Sequence, residues 1–298
     1  MDLKKAKETF LHKHPCLDGR IDLFNERVDK WIASLPQEIV PLVLQMISDF
    51  DYYSHQEANE MLIKLHSELS ENFGLSDETA LHTYIKKKDG RICSSVDYWT
   101  EYRLINKVDK NLCTDDLRAI PEDEWALIEN IVIIDDCCGT GGSLEKFIEM
   151  SKRNFSSKTI YYIVLHALEA AKETIHQIEE KYSVCIHLVA INMRKLATEL
   201  ISPDNAVEAR ERVKYASREM HISKNYALGK DDSEGLMAFY NNTPNNTIGL
   251  FWYPSDKNEP LFPRDFGKTP SWRPSVNAMQ KSKKQRKKDN YLAVKKRG

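Results

Sequence analysis

The chain has 298 residues, 41% of them apolar, 9% aromatic and 30% charged, which is enough to bury a full core and lies outside the compositional range of disordered chains. No apolar run is long enough to span a bilayer and the opening Met-Asp-Leu-Lys-Lys carries no secretory stretch, so a cytoplasmic protein without a membrane partner is expected. The formal net charge of -2 hides an asymmetry between an acidic body and a basic C-terminal end.

The first eighty residues read as a helical N-terminal extension. Ile21, Phe24, Val28, Trp31, Ile32 and Leu35 recur at helical spacing until Pro36 interrupts them, and a second helix is expected over Pro36–Ser48. Ser54 and Glu57 form a capping box that opens a third helix, with Met61, Leu62, Leu65 and Leu69 on one face and an end near Phe73-Gly74. His55, His66 and His82 read as surface or packing histidines, because no second ligand stands at metal spacing.

From residue 81 the pattern alternates. Strands are expected over Ala80–Lys87, Ile131–Ile134, Thr159–His166, Val184–Ile191 and, last and short, Thr247–Tyr253. Helices are expected over Val96–Lys107 (with Ser94 and Ser95 as cap candidates), Ser143–Arg153, Glu169–Tyr182 and Asp204–Met220. Near-continuous apolar strands between helices predict an α/β domain over residues 81–270, with a mainly parallel sheet covered on both faces.

Residues 271–298 read as a basic C-terminal tail. Its last eighteen residues hold nine Lys or Arg against Asp289 alone, a local net of +8 that leaves -10 on the rest. Such an arm suits a polyanion or the protein's own acidic face, and equally suits a solvated tail. The six cysteines form no Cys-x-x-Cys pair and no zinc-spaced cluster, which fits free thiols in a reducing compartment.

One stretch carries chemistry. Ile131-Val132-Ile133-Ile134 delivers Asp135 and Asp136 to the end of a buried strand, the edge where open α/β sheets bind ligands. Gly139-Thr140-Gly141-Gly142 then makes a loop whose backbone amides can approach an anion, and Ser143 opens a helix with its N-terminal partial positive charge. A phosphate on the loop with vicinal hydroxyls on the acids describes a ribose 5-phosphate; an ordinary turn with capping acids is the alternative. Cys137 and Cys138 fill the two positions between, either as thiols with depressed pKa or as small packing residues. No Gly-Lys-Ser/Thr follows, which excludes a P-loop, and the dinucleotide fingerprint is absent.

This stretch resembles the signature loop of type I phosphoribosyltransferases: apolar strand, two acids, two variable residues, the position held here by Gly139, then Thr-Gly-x-Ser. The resemblance implies that fold, with Asp135 and Asp136 on the ribose hydroxyls and Thr140, Gly141, Gly142 and Ser143 on the 5-phosphate. It also implies Mg²⁺, bridging diphosphate and ribose, and a diphosphate loop after an early strand. The candidate is Lys86–Ser95, with Lys88, Arg91, Ser94 and Ser95 as its anion-binding groups; a plain surface turn serves that segment as well. Gly139 departs from purine-type members, which carry an acid or Thr there, and cannot act as acid or base.

Farther on, Asn242-Thr243-Pro244-Asn245-Asn246-Thr247, Phe251-Trp252 and Pro260-Leu261-Phe262-Pro263-Arg264 are similar to phosphoribosyltransferase-like effectors of bacterial conflict systems, including those beside retron reverse transcriptases. Phe50-Asp51-Tyr52-Tyr53-Ser54 fits the same group. That likeness implies anti-phage defence with a reverse transcriptase, nucleic-acid or ATPase partner complex. Trp252 is either a stacking face for a base or core, Arg264 either a phosphate contact or structural. The Gly229–Gly235 segment offers carboxylates to a cation or is an exposed acidic loop. Three functions follow: a ribosyl-transfer enzyme using phosphoribosyl diphosphate, a nucleotide sensor without turnover, or a module that binds partners or nucleic acid through its tail.

Overall fold

A computed structural model describes residues 1–18, 20–87 and 93–264, with backbone alone over 20–23. In chain order it holds α1 (Leu3–Lys13), α2 (Arg20–Ser34), α3 (Val40–Asp49), β1 (Asp51–Tyr53), α4 (His55–Phe73), β2 (Ala80–Tyr84), α5 (Ser94–Ile105) and α6 (Glu122–Leu127). Next come β3 (Asn130–Cys138), α7 (Gly142–Ser151), β4 (Thr159–Leu168), α8 (Ala171–Tyr182), β5 (Cys185–Arg194), α9 (Ala197–Ile201), α10 (Ala206–Glu219) and β6 (Met237–Phe239).

Strands β2, β3, β4 and β5 form one sheet in that order, every pair parallel. Alternate residues of a strand face opposite sides, so the apolar runs bury both faces. On one face Leu62, Leu65 and Leu69 of α4 and Tyr98, Trp99 and Tyr102 of α5 cover Val132, Ile134, Ile163 and Leu165. On the other, Leu144, Phe147 and Ile148 of α7 with Ile175 and Ile178 of α8 cover Ile131, Ile133, Ile160 and Val164. The mainly parallel α/β fold expected from the sequence is the fold observed.

The N-terminal segment divides between two cores. Its capping box is present, Ser54 taking the Glu57 amide while Glu57 receives the Ser54 amide, and Gly74 ends α4 in the left-handed region at φ +63°. Helix α4 packs on the sheet, whereas Phe10, Phe24, Leu42, Val43 and Met46 of α1–α3 pack with Val213 and Ala216 of α10 and with Phe251 and Phe262. Met1–Arg264 closes as one compact unit. Strand β1 joins β6 in a separate parallel pair, Asp51 opposite Met237 and Tyr53 opposite Phe239.

The strand expected over Thr247–Tyr253 is a correction. That stretch holds a 3₁₀ turn at Gly249–Phe251, and the short strand lies earlier, at Met237–Phe239. Phe251 and Trp252 are both fully buried, so the apolar run is a core turn whose burial has no period of two. Gly249 allows it, because a Cβ there would lie 2.4 Å from the Tyr226 carbonyl. Helix α1, which periodicity did not reveal, starts where the Asp2 side chain accepts the Lys5 amide.

An ionic network anchors β1. Asp51 is buried, accepts two 2.8 Å hydrogen bonds from Arg194 and accepts another from Lys13 at 2.7 Å. Burial alone would raise its carboxyl, but Arg194, His166 and Lys13 outweigh that and hold it below the ordinary value. Asn192 donates to the Tyr53 hydroxyl at 2.9 Å, and that hydroxyl lies 2.7 Å from His166 Nδ1. The ring's Nε2 is buried without a partner among the described residues.

Among the described residues no helix is long and apolar enough to cross a membrane.

Candidate functional site

Strand β3 runs four residues beyond Ile134, so Asp135 and Asp136 belong to its C-terminal end and are both buried. The two carboxylates have different surroundings. Asp135 accepts from Ser95 Oγ at 2.7 Å on Oδ1 and from Tyr162 OH at 2.9 Å on Oδ2, and its Oδ1 also takes the Asp136 amide at 2.9 Å. Asp136 Oδ1 takes the Cys137 amide at 2.8 Å. Burial, then the neighbouring Asp136, pushes the Asp135 carboxyl well above its usual range, and the two hydroxyls only partly oppose this. Two adjacent buried acids repel each other, so charge on one raises the cost of charge on the other.

Two helices begin at this edge. Parallel pairing sets β2 beside β3, and α5 and α7 each start after one of these strands. Neither has a side-chain N-cap: α5 starts after Cys93, and α7 after Gly141, which is left-handed at φ +78°. Their first-turn amides and partial positive ends therefore remain available to an anion. Gly141 could carry no side chain there without strain, and a Cβ would also press on Thr174 at 3.1 Å. Thr140 and Gly142 are half-buried, and Ser143 is exposed. These loop residues and the acid pair are thus contiguous.

The candidate diphosphate segment divides. Lys88 and Arg91 lie outside the described residues. Ser95 is buried and its hydroxyl is engaged by Asp135, while Ser94 is the first residue of α5 and half-buried. Lys86, at the start of the same segment, reaches Asp115 at 3.5 Å.

The thiols have no depressed pKa. Burial and then the Asp136 charge push Cys137 well up, and burial followed by Asp135 raises Cys138 to about 12 against an opposing hydrogen bond from the Gly141 amide. Packing accounts for both.

Several residues here had no local signal in the sequence. Tyr162 enters from β4 within an apolar run. Asp97, on the first turn of α5, has its carboxyl raised by burial and then by Asp136 and Glu101. Asn246 lies against Gly139: a Cβ on that glycine would come within 2.1 Å of its Nδ2. The Gly229–Gly235 segment, considered for cation binding, has a packing role. Glu234 is buried and paired with Arg210, Ser233 holds the 246 region, and Asp231 and Asp232 are exposed. Among the described residues no set of three or more His, Cys, Asp or Glu side chains is placed to hold a metal ion.

Trp252 is core, its Nε1 donating to the Thr247 carbonyl at 2.6 Å, so the stacking role is set aside. Arg264 donates to the Thr243 carbonyl at 2.9 Å and ties down the end of the unit.

With the acid pair and loop in place, the comparisons can be read. The sequence pattern of the PRTase-CE family matches residues 28–264, most of the chain. The chain belongs to the PRTase-CE family. It is therefore phosphoribosyltransferase-like, and the family region contains the acid pair, the loop and Asn246. A solved structure of Helicobacter pylori xanthine-guanine-hypoxanthine phosphoribosyltransferase is similar to part of it, at 12% identity over 53% of this chain and 98% of that one. The TM-score is 0.31, at which the likeness bears on neither fold nor chemistry. No curated protein matches the chain.

Proposed function

We propose that the β3 edge binds phosphoribosyl diphosphate or a related nucleotide and that the protein transfers or cleaves its ribosyl group. The observation that carries this reading is the buried Asp135–Asp136 pair beside the uncapped start of α7. Asp136 would accept the ribose hydroxyls; Asp135, held by Ser95 and Tyr162, would fix the strand end that presents it. The loop from Thr140 to Ser143 would take the 5-phosphate through its amides and hydroxyls. Ribosyl transfer passes through an oxocarbenium-like state, which a carboxylate buried beside the ribose would stabilise where it forms.

Mg²⁺ would enter as a companion of the ligand. Asp97, whose carboxyl is raised by burial and then by Asp136 and Glu101, would be eased by a cation there. When bound, Mg²⁺ neutralises charge on the departing diphosphate. Lys88 and Arg91 would add cations to that leaving group, together with the α5 start at Ser94.

A second reading, nucleotide sensing without turnover, is favoured by one observation. Gly139 has no proton-transfer group and the adjoining side chain is the carboxamide of Asn246, which does not titrate. The resemblance to conflict-system effectors supports a role in anti-phage defence with a reverse transcriptase or ATPase partner complex. The basic tail is the segment suited to a nucleic-acid partner.

Calorimetry with phosphoribosyl diphosphate and Mg²⁺, followed by assay of diphosphate release with candidate bases, separates these readings. Binding with release supports the enzyme, and binding without release supports the sensor. Absence of binding removes both.

A further inference from the structure

The contact between Asn246 and Gly139 joins the end of the family region to the start of the anion loop. Three glycines shape its seat. A Cβ on Gly139 would lie 2.1 Å from Asn246 Nδ2 and 2.5 Å from its Cγ, so the carboxamide rests on bare backbone. A Cβ on Gly229, itself at φ +79°, would lie 2.2 Å from the Asn246 carbonyl, and one on Gly235 would lie 3.0 Å from it. The Gly235 amide donates to that carbonyl at 2.9 Å. Residue 246 is held on three sides.

Hydrogen bonding fixes which way the carboxamide faces. Ser233 Oγ lies 2.7 Å from the Lys230 carbonyl and 2.9 Å from the Asn246 carbonyl. Both are acceptors only, so the single hydroxyl proton goes to one of them and Oγ must act as acceptor toward the third neighbour. That neighbour, 3.1 Å away, is therefore Asn246 Nδ2 and not Oδ1. One N–H of the carboxamide is engaged; the second N–H and Oδ1 have no hydrogen-bond partner among the described residues. Nδ2 rests on Gly139 at the start of the loop, and the carboxamide keeps Oδ1 and one N–H to pair with a ligand there.

Resting on the reading of the site as a ribosyl-phosphate pocket, we infer that Asn246 is a specificity-determining residue that reads the base of the ligand. The phosphate would engage the loop and the hydroxyls Asp136, which leaves the base for Asn246. Its edge complements a base with an amino group beside a ring acceptor, Oδ1 accepting from the amine and Nδ2 donating to the ring nitrogen. Adenine has that pattern; guanine presents two acceptors on the corresponding edge and opposes Oδ1. A carboxamide moves no proton at neutral pH, so Asn246 positions and selects.

The experiment is calorimetry of the full chain with ribose 5-phosphate, AMP and GMP, each with Mg²⁺. AMP is expected to bind more tightly than GMP. Asn246→Ala should weaken AMP roughly 5- to 150-fold, the range a paired amide edge is worth, and bring AMP and GMP together. Ribose 5-phosphate, which has no base, should bind Asn246→Ala as it binds the parent. Gly139→Ala should displace the carboxamide and reproduce the loss of AMP preference, and adding Asn246→Ala to it should lower the AMP-to-GMP ratio no further. This second variant also serves if Asn246→Ala fails to fold. Ribose 5-phosphate binding with equal AMP and GMP affinities, or an AMP-to-GMP ratio unchanged in Asn246→Ala, overturns the role of Asn246 while the pocket stands. If no ribosyl phosphate binds the parent, the pocket and the role of Asn246 fall together.

Discussion

Tyr162 and Asp135 meet across 2.9 Å, the phenol of β4 donating to the carboxyl of β3 inside the sheet's own interior. The parallel register places Asp135 beside Val164, so Tyr162 reaches it from two residues down the neighbouring strand. With Ser95 on the opposite oxygen, the carboxyl is oriented by two hydroxyls from two elements. Asp136 next to it takes the Cys137 amide instead, with no hydroxyl on it among the described residues.

Removing that phenol should cost stability. Tyr162→Phe keeps the ring packed among Ile133, Val164 and Ile175 and deletes one hydrogen bond to a buried carboxyl. The expected loss is about 1–3 kcal/mol. Chemical denaturation of Tyr162→Phe, Ser95→Ala and the double variant measures it, and a non-additive cycle is expected because both hydroxyls serve one group.

Asp51 is the buried charge whose removal should matter most outside the site. Asp51→Ala leaves Arg194 and Lys13, both about a third exposed, without the carboxylate that pairs them, which should cost about 1.5–3 kcal/mol. Thermal unfolding of this variant, set beside an exposed control such as Asp231→Ala, checks the magnitude.

Acid should unfold the protein in two stages with one sign. Burial holds His166 down to about 4, below its ordinary 6.5, so between these values the unfolded chain binds more protons. Stability then falls as pH drops from 6.5 toward 4, by roughly 3 kcal/mol for the whole shift. His82, also lowered to about 4 by burial, adds in the same direction. Asp51, whose folded value is depressed, contributes stability above its unfolded value that is lost as pH falls through the folded one. His166→Gln should flatten the slope between pH 6.5 and 4 in denaturant titrations.

For the tail, the expectation rests on charge alone. Residues 281–298 should hold polyanions by phosphate neutralisation, with steep weakening as salt rises and little base preference. A chain ending at residue 280 should lose DNA and RNA retention at low salt. Equal retention with the same salt slope would assign the contact elsewhere.

The sequence made the central motif legible because its parts are contiguous. An apolar run, two acids and a glycine-rich loop lie within thirteen residues, and strand, turn and helix follow locally. Ser54 with Glu57 was legible for the same reason. Tyr162 and Asn246 were not, since they reach the site through sheet register and through a seat made by glycines far along the chain. The even burial of Phe251 and Trp252 hid a turn inside a run that resembles a strand. The pairing of β1 with β6 joins segments nearly two hundred residues apart, which no local pattern encodes.

The account's central claim is that Asp136 meets the ligand while Asp135, held by the Ser95 and Tyr162 hydroxyls, supports it. Titration of phosphoribosyl diphosphate with Mg²⁺ into the parent, Asp136→Asn and Asp135→Asn tests it most directly. The account predicts binding to the parent, loss of about tenfold or more in Asp136→Asn, and a smaller loss in Asp135→Asn, whose Oδ1 can still accept a hydroxyl. Binding that is absent in the parent, or unchanged in Asp136→Asn, would contradict it.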